Sequence, residues 1–402
     1  MERNRYFERV ETYIKNMKTK EVLYNRISKI ISSAVLKEHL TVLKEFDEHC
    51  ILENFTLETR KCYLAGLRQL FNFVKKPVEQ VTREDIKDYL FSAKMMPKTM
   101  QVRKTIIKYF FKWFYKTEGN YPEVVSWINT SLSKKDYKKL PKDQLLTQEE
   151  VLKIANATTT LRDKAFILTL YESACRINEL IQLRIKNVVF DAYGAIIKVN
   201  GKTGERVIRL LNTESSWLVL RDWLNQHPLK NSMESPVFVN MGNGYKGDFM
   251  GKEFIGHKIK EWSRFAGINK NVYPHLFRHS RLTELARKGY NESFLRKFAG
   301  WEGDSRMADI YVSLSARDID NVMLEKEGII NKESNGNGKV LSPIKCLKCG
   351  EFNSPTNRFC ANCSMPLDQD SMEEVAYEEK WMEFIRNHKT ELREIMNKKI
   401  NS

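Results

Sequence analysis

Nowhere in this 402-residue chain do about 18 apolar residues follow one another, so no membrane-spanning helix is expected. The first residues include Glu2, Arg3, Arg5, Glu8 and Arg9, too many charges for a secretory signal, which sets the expectation of a cytoplasmic protein. No Gly-rich phosphate loop of the nucleotide-hydrolysing kind is present, so chemistry driven by ATP is not expected. No internal repeat is visible. Cysteine is sparse outside one cluster: Cys50, Cys62 and Cys175 lie far apart, as buried thiols do, and not as a disulfide framework. Acidic residues fall short of basic ones, 51 against 67.

That shortfall leaves a formal charge of +16 and a pI near 9.3. An excess of this size points to a polyanionic partner, because each phosphate neutralised by Lys or Arg releases a counterion. The charge is unevenly spread. Residues 364–402 hold nine acids and six bases, a net of −3, so the preceding residues carry +19. The tail is therefore not the part expected to bind a polyanion.

With 42% hydrophobic and 29% charged residues, the chain reads as globular and long enough for two or three domains. Residues 1–32 read as a charged helix of unassigned role, with Tyr6, Val10, Tyr13 and Ile14 at helical spacing. Residues 33–131 read as an all-helical domain. Thr56 is placed to cap one helix and Thr82 with Asp85 to form a capping box. Arg60, Lys61, Arg68, Arg103, Lys104 and Lys108 are expected on its exposed faces. Residues 132–145 are basic, polar and broken by Pro141, a linker by composition. A second domain spans 146–330, opened by the Thr147/Glu150 capping pair. Strand signals occur only between Val188 and Leu211, around the turn Gly201-Lys-Thr-Gly204. A linker follows over 331–342, then a cysteine module over 343–367 and an amphipathic helix over 368–402. The expected fold class is mainly α with a small antiparallel β-sheet (α+β).

Five signals follow one another in the second domain. Arg176 heads an amphipathic helix with Ile177, Leu180, Ile181 and Leu183 inward. Lys202 tips a β-turn. His275 and Arg278 share a helix face at i and i+3. Gly300 precedes Trp301, and Tyr311 lies ten residues further on. Singly, each has an ordinary reading as a surface arginine, a solvated lysine, a polar helix face or a half-buried aromatic. Jointly, and in this order, they carry weight.

The order resembles that of the tyrosine recombinase/phage integrase family. So do the flanks Arg176-Ile-Asn-Glu-Leu180, Pro274-His-Leu-Phe-Arg-His-Ser280 and Met307-Ala-Asp-Ile-Tyr311. Trp301, the step to Tyr311 and a C-terminal zinc ribbon are most similar to archaeal integrases. Ser313 stands where that subgroup's pattern has histidine, and the chain before Ser33 has no counterpart. The resemblance implies a SAM-like core-binding domain over 33–131 and a catalytic domain over 146–330. It implies a site-specific recombinase that breaks and rejoins double-stranded DNA at att-like sites as a tetramer, through a covalent 3′-phosphotyrosine. Two other readings share parts of the pattern: type IB topoisomerase-like relaxation, and a catalytically silent DNA-binding or zinc-ribbon protein.

The chemistry fits these residue types. A phosphodiester under attack gathers negative charge, which Arg176 and Arg278 can meet with paired N–H donors. His275 adds a donor, and Lys202 can protonate the departing 5′ oxygen. Trp301 offers an indole N–H, and Tyr311 is the nucleophile. His279 stays open between a structural and a supporting role. No cofactor is needed for this chemistry.

Cys346, Cys349, Cys360 and Cys363 form two C-x-x-C pairs, a spacing that supplies four thiolates to a structural Zn²⁺; a redox dithiol is the lesser reading. In the last segment Tyr377, Trp381, Phe384, Ile385, His388, Leu392, Ile395 and Met396 fall on one stripe. It serves either packing within the chain or contact with a second protomer.

Overall fold

In a computed structural model the chain divides into two compact units, Met1–Lys138 and Lys139–Ser402. The structure describes residues 25, 27–30, 32, 36–92, 94–131, 142–201, 204–242, 247–301 and 340–389. No described helix is long and apolar enough to cross a membrane.

The first unit is built from α1 (Lys37–Leu52), α2 (Leu57–Val74), α3 (Arg83–Ser92), α4 (Pro97–Phe114) and the short α5 (Glu123–Ser126). Its starts are set locally. Thr56 Oγ1 accepts from the Thr59 N–H, Thr82 and Asp85 cap each other, and Pro97 opens α4 where no N–H is needed. Leu43, Phe46, Leu64, Leu67, Phe71, Ile107, Phe110 and Phe111 are fully enclosed. Phe46 meets Phe110 edge-on, with ring centroids 5.2 Å apart.

The expected basic outer face needs correction. Arg60 is buried, one turn before Leu64 on the same stripe, and its fork grips Asp47 with bonds of 2.8 and 2.7 Å. Lys61, Arg68, Arg103, Lys104 and Lys108 are half-buried. Arg103 lies across Gly66, where a Cβ would come within 2.3 Å of its Nη1. A glycine there is what lets the guanidinium lie flat between α2 and α4.

The second unit packs α6 (Gln148–Asn156), α7 (Leu161–Ser173), α8 (Ile177–Ile181), α9 (Ser216–Asn225), α10 (Lys252–Phe265), α11 (Pro274–Arg287) and α12 (Glu292–Ala299) around an antiparallel sheet. The sheet order is β1 (Val188–Asp191), β2 (Gly194–Gly201), β3 (Gly204–Leu211). In β2, alternation turns Ala195, Ile197 and Val199 inward. Helix α7 is buried on nearly every side, with Phe166, Ile167, Leu168 and Leu170 in the core. The Thr147/Glu150 capping box starts α6.

Two further strands, β4 (Ile344–Lys345) and β5 (Phe352–Asn353), pair within the cysteine module, outside the region that carried strand signals. Two-residue strands between metal-type knuckles are too short to show alternation. The module sits on the second unit: Leu341 is part of the unit's core, Lys164 Nζ donates to the Thr356 carbonyl at 3.5 Å, and Arg221 faces Glu351 at 3.7 Å. Helix α13 (Gln369–Asn387) follows, its first turn fixed by Asp368 accepting from the Ser371 N–H and by Arg358 donating to Ser371 Oγ. Tyr377, Met382 and Ile385 are exposed on it. Residues 390–402 of the stripe lie outside the described residues, as does most of the segment 1–32.

The buried pair in the first unit gives a direct test. Asp47→Ala removes both bonds to the Arg60 guanidinium and costs about 3 kcal/mol in urea unfolding, whereas Asp47→Leu with Arg60→Met costs clearly less.

Candidate active site and cysteine centre

Helix α7 ends at Ser173, and Ala174 turns the chain in the left-handed region at φ 47°. That conformation costs a non-glycine residue about 1 kcal/mol. It directs the Ala174 carbonyl to Arg278 Nη1, which donates to it at 2.7 Å. Two residues later Arg176 caps α8, its own N–H held by Glu179 Oε2 at 2.8 Å. On α11, Pro274 occupies the first turn, so His275 and Arg278 follow on one face.

The two arginines meet at the end of α12. Gly300 closes that helix at φ 62°. Arg278 Nη2 donates to the Ala299 carbonyl at 2.6 Å, and Arg176 Nη2 donates to the next carbonyl, Gly300, at 3.2 Å. Arg278 is 1% exposed and lies over the Trp301 ring, 5.6 Å from its centroid. Four of the expected site residues, Arg176, His275, Arg278 and Trp301, are thus gathered around one turn. A cavity of about 630 Å³ opens beside them, lined by Arg176, Glu179, Asn200, Gly201, Lys252 and His275. Lys202 and Tyr311 lie outside the described residues; Gly201 and Gly204, which flank Lys202 and Thr203, are paired in the sheet.

Sequence reasoning missed Glu179 and Arg206. Glu179 is 3% exposed and takes Arg176 Nη1 on Oε1 at 2.7 Å and Arg206 Nη2 on Oε2 at 2.5 Å. Burial pushes its carboxyl up, but the Arg206 charge and the Arg176 hydrogen bonds outweigh this and hold it below the usual range. The signal for Glu179 was available: it stands three residues after Arg176, the capping-box spacing. Arg206 had none, being one polar member of an alternating strand.

Burial within the concavity, then the charges of His279, Arg278 and Arg176, push the His275 imidazole down to about 4. His279 is lowered too, by burial and by Arg278, and its ring stands edge-on to His275 at 4.8 Å. His275 is therefore neutral at physiological pH, a hydrogen-bonding group and not a further cation.

The four cysteines of the module place their Sγ atoms within 4.8 Å of one another, with Cys346 to Cys363 at 3.6 Å and Cys349 to Cys360 at 3.5 Å. A tetrahedron of Zn–S bonds of about 2.3 Å has edges of about 3.8 Å, so the quartet fits a zinc-sized ion. The Cys363 N–H and then the Asn362 N–H hold the Cys360 thiol down to about 6, readying a thiolate.

The model of the phage integrase family matches residues 144–317, and that of the phage integrase N-terminal SAM-like domain matches residues 42–120. Tyrosine recombinase XerA of Pyrococcus horikoshii is 27% identical over 281 residues, covering 69% of this chain and 90% of that protein. Tyrosine recombinase XerC of Thermodesulfovibrio yellowstonii is 27% identical over 259 residues, covering 60% and 81%. Among solved structures, the XerH site-specific recombinase bound to difH in a pre-cleavage complex aligns with TM-score 0.52 and 17% identity, over 76% of this chain and 94% of that one. A lambda integrase dimer bound to a core site aligns with TM-score 0.53 and 14% identity, over 67% and 76%.

The electrostatics predict a titration. By NMR the His275 ring proton moves with a midpoint near 4 in the free protein. Adding sulfate or a short duplex raises that midpoint, because an anion between the arginines favours the imidazolium. The sign for stability follows: His275 favours the native state above about 6.5, and its contribution is lost as pH falls from there towards about 4.

With models of one family matching parts of both units, the chain belongs to the phage integrase family, the tyrosine recombinases.

Proposed function

We propose that this chain is a site-specific DNA recombinase that breaks and rejoins double-stranded DNA through a covalent 3′-phosphotyrosine, without ATP. One observation carries the reading: the Arg176 and Arg278 guanidinium groups are held by the consecutive carbonyls of Gly300 and Ala299, with Arg176 and His275 lining an open cavity beside them.

In this reaction the Tyr311 phenolic oxygen attacks the scissile phosphorus and loses its proton as the bond forms. The P–O bond to the 5′ side breaks, and Lys202 gives a proton to the departing oxygen. Arg176 and Arg278 stabilise the charge that collects on the non-bridging oxygens, and neutral His275 adds a hydrogen bond to them. Trp301 packs against the Arg278 guanidinium and keeps it aimed. The phosphotyrosine keeps the energy of the broken ester, so attack by a free 5′ hydroxyl reverses the step. A tetramer on paired att-like sites is the assembly this exchange requires, acting on DNA in the cytoplasm. The cysteine quartet holds a structural Zn²⁺, all four positions being filled by thiolates of Cys346, Cys349, Cys360 and Cys363.

Incubated with a suicide-nicked duplex of the target site, the wild-type protein forms an adduct that survives denaturation. Tyr311→Phe forms none, and Arg278→Ala forms it about 10²–10³-fold more slowly. An adduct of normal yield from Tyr311→Phe would sink the assignment of the nucleophile. The zinc is tested apart from activity. Metal analysis finds about one zinc per chain, and a strong chelator abolishes hydrogen-exchange protection over 343–367 before it affects α7.

A further inference from the structure

One buried carboxylate, that of Glu179, sits between two guanidinium groups. Only Arg176 lines the cavity; Arg206 stands behind, with its side chain 9% exposed. Arg206 Nη2 donates to Glu179 Oε2 at 2.5 Å, and its Nη1 donates to the Phe298 carbonyl, two residues before Gly300. The carboxylate occupies the space that a side chain at Gly201 would fill: a Cβ there would lie 2.4 Å from Glu179 Oε1.

A carboxylate this deeply buried must be compensated by charge. With Arg206 in place, the Arg176 guanidinium answers one oxygen and keeps Nη2 on the Gly300 carbonyl. Without Arg206 the charge compensation by the described residues falls to Arg176. A guanidinium facing a carboxylate prefers two parallel bonds, and taking the second oxygen would draw Nη2 off Gly300. The cation beside the cavity would then be spent on Glu179.

We infer that Arg206 is a positioning residue for strand cleavage, balancing Glu179 so that the charge of Arg176 is left for the scissile phosphate. This rests on the reading of the cavity as the phosphate site. Arg206 does not itself line the cavity; it bonds to Glu179, which does, and acts through that carboxylate.

The experiment follows adduct formation by the full-length protein on the suicide duplex. Arg206→Gln slows cleavage about 30-fold, less than loss of a direct donor, while duplex affinity in a gel shift is unchanged. Arg206→Lys, which keeps the charge, stays within about 5-fold of wild type. Adding Glu179→Gln to Arg206→Gln restores about 5-fold or more of the lost rate, since the competing carboxylate is gone. With a neutral methylphosphonate at the scissile position, the gap between wild type and Arg206→Gln closes. A merely structural arginine gives neither suppression nor closure. Full-rate cleavage by Arg206→Gln, or a defect that Glu179→Gln and the methylphosphonate both leave untouched, overturns the inference. Absence of an adduct from the wild type would instead sink the reading of the cavity itself.

Discussion

The second unit is organised around one constraint: two guanidinium groups must stand side by side, although like charges repel. The solution uses backbone dipoles. Consecutive carbonyls at the end of α12 face the two cations, and the carbonyl of Ala174 gives Arg278 a second acceptor. Those carbonyls are available because a helix terminus leaves its last C=O groups unsatisfied. The orphan acceptors of α12 and the turn after α7 are thus not defects left by chain reversal but sockets for arginine. The left-handed backbone at Ala174 and Gly300 aims them.

Charge balance around the pair follows the same logic. Glu179 is enclosed where a lone carboxylate would be costly, and it is tolerated because arginines approach from both sides. His275, in the same concavity, stays neutral because the cations beside it make a further positive charge unfavourable. The result is a pair of cations that the described fold holds in place, ready on the proposed reading for a phosphate. Such preorganisation is what electrostatic catalysis demands, since the protein does not have to reorganise at the moment of reaction.

Much of this was legible in the sequence because its determinants are local. The caps at Thr56, Thr82 and Thr147, the inward alternation of β2 and the apolar stripe of α4 follow from side-chain chemistry and period. His275 and Arg278 could be put on one face by helical spacing alone. What stayed hidden depends on contacts between distant segments. Arg60 reads as a surface residue until Asp47 is seen opposite it, and Arg206 reads as an ordinary strand polar until Glu179 and Phe298 close around it. The paired strands of the cysteine module were invisible because their geometry follows from the knuckles and not from any pattern of their own.

Leu341 is embedded in the same core as α7, and Trp301 lies against the Arg278 guanidinium. Tyr311 follows Trp301 by ten residues. A fully extended chain of that length spans at most about 36 Å. Any neighbouring molecule that borrowed this phenol would have to bring its own arginines inside that radius. If Tyr311 is the nucleophile, as proposed, the tether thereby sets a ceiling on how loosely an assembly could be built and still exchange it between its members.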